Sequence, residues 1–148
     1  MKVPSSLIDR GFKSLNLVHR TLLRVSGGKI GASAFGMQIV ELHTTGRISG
    51  RERTVVLAAP ITKDSSVVFV ASKGGDNRNP DWFENLVINP EVEITRNKTR
   101  IAMRARVASA EEASELWPQI IDHYGPYASY RRRAQREIPL VVCDPHPR

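Results

Sequence analysis

The alternation of apolar and polar residues between positions 37 and 107 limits the folds open to this 148-residue chain more than any other feature. A period of two puts alternate side chains on opposite faces of a strand, whereas a buried helix face repeats every 3.6 residues. Residues 37–43 read as a strand with Met37, Ile39 and Glu41 on one face. Two more strands are predicted over 53–59 and 66–71, joined through Pro60 and a polar turn, Thr62-Lys63-Asp64-Ser65. The clearest hairpin comes later. Val92 and Ile94 alternate with Glu91, Glu93 and Thr95; beyond an Arg96-Asn97-Lys98 turn, Ile101, Met103, Ala105 and Val107 alternate with Arg100, Arg104 and Arg106. Its charges read as a solvated face of cross-strand pairs.

Helical signals interrupt these strands without giving a strand–helix–strand repeat. Over 7–25, Leu7, Ile8, Phe12, Leu15, Val18, Leu22 and Val25 gather on one helix face. Arg10, Lys13, Arg20 and Arg24 lie opposite, and Ser26-Gly27-Gly28 ends the helix. A second helix is predicted from Asn79-Pro80, with Asn79 as N-cap and Pro80 at the first helical position, ending at Asn89-Pro90. Ser109-Ala110-Glu111-Glu112 has a capping-box pattern, opening a helix that reaches Trp117. Pro118 is expected to kink or restart that helix, and Gly125-Pro126 to interrupt it again. A short basic helix over 127–136 then leads to a closing strand over 138–143. The expected class is α+β, a curled antiparallel sheet or small barrel with helices outside. Residues 31–148 form its one domain, preceded by an amphipathic basic helix within 1–30.

Charge narrows the partner. The chain carries 22 Lys and Arg against 15 Asp and Glu, a net +7, which suggests something anionic. Six of the basic residues and one acidic residue fall in the first 40 positions, so the rest of the chain is nearly neutral. A general nucleic-acid surface is therefore not expected, and the strands lack the interleaved aromatics that RNA-binding sheets use. A single cysteine, Cys143, allows no internal disulfide. No apolar run approaches the ~18 residues of a membrane span, and charges break the N-terminus where a signal peptide would be apolar. An intracellular protein is expected.

The usual protein-supplied catalysts are missing. His19, His43, His123 and His146 are scattered, and no GxSxG, Walker A or GxGxxG pattern occurs. An enzyme built this way needs an organic cofactor to supply the reactive centre. Three features could hold one. Ala71-Ser72-Lys73-Gly74-Gly75 places two glycines and a lysine between a strand and a helix start, which suits an anion or a flexible connector equally. Arg47, Arg51 and Arg53 surround Gly46 and Gly50, and Arg53, at a strand start, is the best fixed of the three. Tyr124, Tyr127 and Tyr130 share one sector of a helix, as core residues or as a pocket wall, and Trp82 lies one turn from the glycine loop.

Taken in order, these segments resemble the deazaflavin-dependent nitroreductase family of actinobacteria. The resemblance rests on Leu42-His43-Thr44-Thr45-Gly46-Arg47-Ile48-Ser49-Gly50-Arg51-Glu52-Arg53, Ala71-Ser72-Lys73-Gly74-Gly75 and Asn79-Pro80-Asp81-Trp82-Phe83-Glu84-Asn85-Leu86. Asn89-Pro90-Glu91-Val92, Trp117-Pro118 with the three tyrosines, and Glu137-Ile138-Pro139-Leu140-Val141-Val142 complete it. It implies a split β-barrel that binds coenzyme F420, an 8-hydroxy-5-deazaflavin, and passes its hydride to a quinone, nitroaromatic or activated enone. By that resemblance Arg53 and Lys73 hold the phosphate-bearing tail. Val55, Val56, Leu57, Ala71, Ser72, Gly74 and Gly75 wall the cofactor groove, with Trp82 and Asn85 beside it. Ser72 and Tyr124, Tyr127 and Tyr130 face the acceptor, with Ser72, Tyr124 or Tyr130 as the proton donor. A non-catalytic deazaflavin carrier and an FMN enzyme on the same barrel are the alternatives. Ile48 stands where many relatives carry a basic residue, which implies that one hold on the tail is missing or is taken over by Arg47 or Arg51. Ala58 stands where some have tyrosine, implying a larger or flatter pocket. The helix over 7–25 can lie on the inner face of the cell membrane, clamp the coenzyme tail, or pack on the barrel.

Overall fold

The computed structural model describes residues 33–34 and 37–146, so the helix expected over 7–25 and its membrane contact lie outside the described residues. The strands are β1 (Ser33–Ala34), β2 (Met37–Thr45), β3 (Glu52–Ala59), β4 (Ile61–Lys63), β5 (Ser66–Val70), β6 (Glu91–Arg96), β7 (Thr99–Val107) and β8 (Leu140–Pro145). The helices are α1 (Asp81–Ile88), α2 (Ala110–His123) and α3 (Pro126–Arg133), and a 3-10 turn spans Lys73–Gly75. All pairings are antiparallel, in the order β1-β2-β6-β7-β8-β5-β4, with β3 on the other side of β2. Only Pro60 separates β3 from β4, so one bent segment carries both ends of the sheet and the sheet curls into a barrel.

Strand alternation then sorts the apolar residues into two cores. Val40 and Leu42 of β2, Val67 and Phe69 of β5, Val92 and Ile94 of β6, Met103 and Ala105 of β7, and Val141 and Cys143 of β8 fill the barrel interior, which Trp82, Phe83 and Leu86 of α1 join. The opposite residues, Met37, Val68, Leu140 and Val142, meet Trp117 and Ile120 of α2 and Tyr127 of α3 outside the sheet. Both faces of β2, β5 and β8 are thus buried, which is why their sequences read as near-continuous apolar runs. In β7 the expected alternation holds only in the middle. Ile101 and Val107 share the parity of Met103 but are 41% and 48% exposed, because they lie toward its ends.

Several local expectations change. The four-residue turn after β4 shrinks to Asp64-Ser65, at φ 51° and 69°, which makes room for the short strand β4. The hairpin turn is likewise Asn97-Lys98, at φ 50° and 67°. Both are two-residue turns of left-handed backbone, the kind whose twist matches the flanking strands. Pro80, not Asn79, is the N-cap of α1; Asn79 instead donates from its amide to Glu84 (3.3 Å). Ser109 does cap α2, accepting from the Glu112 amide at 3.1 Å. That helix runs through Pro118 to His123, because Trp117 and Ile120 anchor both sides of the proline in the outer core. The basic helix stops at Arg133, leaving Arg136 in the link to β8. No helix among the described residues is long and apolar enough to cross a membrane.

One polar residue on the outer face ties three strands together. The buried His43 ring pairs with Thr54 of β3 (2.9 Å) and Thr95 of β6 (2.7 Å), one nitrogen donating and the other accepting. Burial, helped by the Arg100 guanidinium, pulls its pKa below 6.5, while Glu52, Glu41 and Glu93 pull the other way. The folded state therefore holds fewer protons than the unfolded one near this pH. His43 contributes stability that is present above pH 6.5 and lost as pH falls below it through the folded pKa. Thermal melts from about pH 7.5 to about pH 5 should show a falling midpoint, with a smaller slope in His43→Gln. An unchanged slope in that variant would remove His43 as the cause.

Candidate functional site

The barrel parts where β3 and β5 would have met. The register of β4 on β5, with Ile61 opposite Val68, would continue to set Leu57 opposite Ser72, yet no β3–β5 ladder forms among the described residues. Pro60 bends one side. On the other, the β5–β8 register continues past Val70, with the Ala71 N–H donating to the Pro139 carbonyl (3.0 Å), and the Ala71–Gly75 loop starts from there. The edge of β3 turned away from β2 and the Ala71–Gly75 loop therefore flank the place where that ladder would have run, and the space between them is the candidate groove.

The candidate residues divide between the two sides. Register pairs Arg53, Val55 and Leu57 with Thr44, Leu42 and Val40, so their side chains share the barrel-facing side, with Val55 and Leu57 against the inner core. Val56 has the opposite parity and its side chain is buried away from that side. Arg53 is exposed, and among the described residues its guanidinium donates a hydrogen bond to the Ser49 hydroxyl, at 3.4 Å. Among the described residues neither Arg51 nor Arg53 pairs with a carboxylate. Their turn is closed by Gly46 N–H to Arg51 O (2.7 Å), and a Cβ on Gly46 would come within 2.6 Å of the Ser49 hydroxyl.

Arg47, which could have stood in for a basic residue at position 48, does something else. Its backbone N–H and its Nη1 donate to the Asn85 carbonyl (3.1 and 2.8 Å), and its Nη2 reaches Asp81 (3.4 Å). Asn85, only 5% exposed, donates in turn to Thr44 (3.3 Å). These bonds fix which way its amide faces. Arg47 therefore anchors α1 to the β2–β3 turn, and the uncommitted cations of that turn are Arg51 and Arg53. Ile48 is 91% exposed at the turn tip. Trp82 is a core residue, edge-on to Phe69 with centroids 6.0 Å apart.

On the loop side Ala71 and Ser72 are buried, Lys73 is half-buried at φ 48°, and Gly75 has φ 85°. A Cβ on Gly75 would sit 3.3 Å from the Tyr130 Cα and 3.4 Å from Arg133, so the loop backs directly onto α3. The three tyrosines form one stack, Tyr124 to Tyr127 at 5.2 Å and Tyr127 to Tyr130 at 5.7 Å, both edge-on. Tyr127 is the inner member, with burial pushing its phenol up to about 12. Burial and a hydrogen bond with Tyr124 also raise Tyr130. Both phenols therefore keep their protons near neutral pH and remain hydrogen-bond donors. Tyr124, at the α2 C-cap, has an extended backbone, so tertiary packing rather than helical spacing brings it to the stack. Ala58 packs on this same outer cluster.

These parts suit a long anionic cofactor: two guanidinium groups without carboxylate partners at one rim, a lysine and turned backbone at the other, apolar side chains between. Cations and backbone amides recognise phosphate and carboxylate, and the apolar wall suits a flat ring. The curled antiparallel sheet, parted between β3 and the loop after β5, defines a split barrel. Residues 16–145 match the model of the F420H(2)-dependent quinone reductase family. An F420H(2)-dependent quinone reductase of Mycobacterium tuberculosis is 35% identical over 130 residues, covering 84% of this chain and 86% of that one. A solved F420-H2 dependent reductase superimposes with a TM-score of 0.65 at 34% identity, over 72% of this chain and 93% of its own. A domain-swapped dimer does so with a TM-score of 0.68 at 30% identity, over 86% and 97%. The chain belongs to the F420H(2)-dependent quinone reductase family; it is an oxidoreductase, and its cofactor is coenzyme F420.

Proposed function

We propose that this protein reduces quinones with coenzyme F420, accepting nitroaromatics and activated enones as further electron-poor substrates. The observation that carries this reading is the meeting of two surfaces at one loop. The Ser72–Gly75 loop brings Lys73 to this place as a cation for an anionic group, and Gly75 rests against the helix that carries Tyr127 and Tyr130. The activity named for the M. tuberculosis relative supports quinone as the first acceptor.

When bound, reduced F420 supplies a hydride; one proton from the protein or solvent completes the two-electron reduction. Arg53 and Lys73 hold the anionic tail. Val55, Leu57, the Val56 backbone and the Ala71, Ser72, Gly74 and Gly75 main chain wall the ring, with Trp82 and Asn85 fixing the α1 side. Ser72, Tyr124 and Tyr130 donate hydrogen bonds to the acceptor oxygen as negative charge develops there, and one of them passes the proton. Tyr127 supports both phenols from the core side.

Stopped-flow mixing of the protein with reduced F420 and, in turn, a soluble quinone, a nitroaromatic and an enone tests this. Cofactor reoxidation should be fastest with the quinone. Tyr130→Phe should slow it on the order of tenfold or more at unchanged cofactor affinity, as removal of a transition-state hydrogen bond does. A protein that binds the cofactor yet leaves quinone-dependent reoxidation at the protein-free rate would sink the reading and leave a carrier.

A further inference from the structure

One guanidinium gathers the backbone of the whole groove loop. Arg136 lies half-buried in the link between α3 and β8. Its Nη2 donates to the carbonyls of Ala71 (2.9 Å), Arg78 (2.9 Å) and Ser72 (3.3 Å). Its Nε donates to Asp76 O (3.1 Å), and its Nη1 reaches Glu137 O (3.4 Å). Four of these five carbonyls belong to residues 71–78, which bracket the Lys73–Gly75 turn. Carbonyl dipoles pointed at a common centre repel one another, so that convergence needs a cation inside it. Arginine offers five N–H donors in a rigid plane and stays protonated, whereas lysine offers three from a single point.

Two further contacts turn the clamp into a link. The Gln135 N–H donates to the Asn77 side chain (2.9 Å), fastening the same loop to the same link. Gly75, inside the clamped segment, touches Tyr130 and Arg133 of α3. The loop bearing Ser72 and Lys73 is thus fastened to the link at Arg136 and Gln135, and at Gly75 it rests against the helix bearing Tyr130. With its N–H groups directed at backbone carbonyls, Arg136 acts through the loop and not on a bound molecule.

We propose that Arg136 is a positioning residue that pre-shapes the 71–78 loop for the anionic cofactor and sets it against the acceptor-side tyrosines. This rests on the reading that the loop holds coenzyme F420. Without the clamp, part of the cofactor's binding energy is spent on ordering the loop, and affinity falls.

The test uses the full chain with Arg136→Lys and Arg136→Ala, read two ways. Hydrogen exchange on the cofactor-free protein should show faster exchange confined to residues 71–78 and the facing turn of α3 in both variants. Titration with oxidised F420 should show affinity falling roughly ten- to hundredfold in Arg136→Ala, with lysine recovering the smaller part. Millimolar guanidinium should restore the alanine variant and leave the parent unchanged. A lysine variant that matches the parent in loop exchange and in F420 affinity would overturn the proposal. So would faster exchange spread evenly over the whole chain, since that marks a general loss of stability. A parent that fails to bind F420 would refute the cofactor reading instead, and the exchange data would still decide whether Arg136 holds the loop.

Discussion

Phe69→Ala is expected to be among the most damaging single changes in the barrel. Phe69 is fully buried toward the end of β5, edge-on to Trp82, and links the strand to α1. Truncating a buried phenylalanine costs about 3–5 kcal/mol, from forfeited transfer energy and from the cavity left behind. A domain of this kind has only about 5–15 kcal/mol to lose. The cavity cannot close easily, because Val67 and Val141 beside it are held in ladders and Leu86 is held on α1. Thermal unfolding should show a midpoint lower by roughly 2–8 °C per kcal/mol lost, and Phe69→Leu should retain most of the stability. A loss under about 1 kcal/mol in the alanine variant would mean that the core is not packed around this ring.

The largest functional effect is expected from removing both rim cations, Arg53→Ala with Lys73→Ala. Hydrogen bonds to charged groups are worth about 1.5–3 kcal/mol each, so F420 affinity should fall on the order of a hundredfold or more. Arg53 is exposed at the start of β3 and its guanidinium makes one long hydrogen bond, to Ser49, among the described residues, so its removal should leave the thermal midpoint nearly unchanged. The remaining affinity should also lose much of its salt dependence, because the screened cations are gone. At saturating cofactor, turnover should persist, since neither group faces the acceptor in this reading. Titration at low and high salt checks the first two expectations, and steady-state kinetics the last. Affinity within about threefold of the parent would place the anionic tail elsewhere, with Arg51 the next cation to replace.

Much of the fold is legible in the sequence because its signals are local. The hairpin of β6 and β7, the Ser109 cap and the strand at β5 follow from alternation and turn chemistry over short, continuous stretches of chain. The cross-strand charges also pair as alternation implies: Arg100 meets Glu93 at 2.7 Å, and Arg104 lies 3.8 Å from Glu91. The ordered motifs from Leu42 onward point to the family, and with it to the cofactor. β4 escapes a reading by pattern because three residues beside a proline carry too little of it, and α2 outruns its expected end because burial outweighs a helix-breaking proline.

What the sequence hides depends on residues distant in the chain. Arg47 has the look of a tail ligand, but Asn85, 38 positions away, takes its guanidinium. Arg136 has the look of one more exposed arginine of a basic helix, yet it bonds to Ala71, 65 positions back. Neither signal can be read from spacing, because a guanidinium can pair with any carbonyl the fold brings near. The chain's own pattern is enough to specify an antiparallel curled sheet, its turns and the family, since periodicity and turn residues act over one or two contacts along the backbone. Which cations stay free for a ligand, which tyrosine faces the core and what holds the groove loop are settled only in three dimensions. There, burial and competition for hydrogen-bond partners assign each side chain its place.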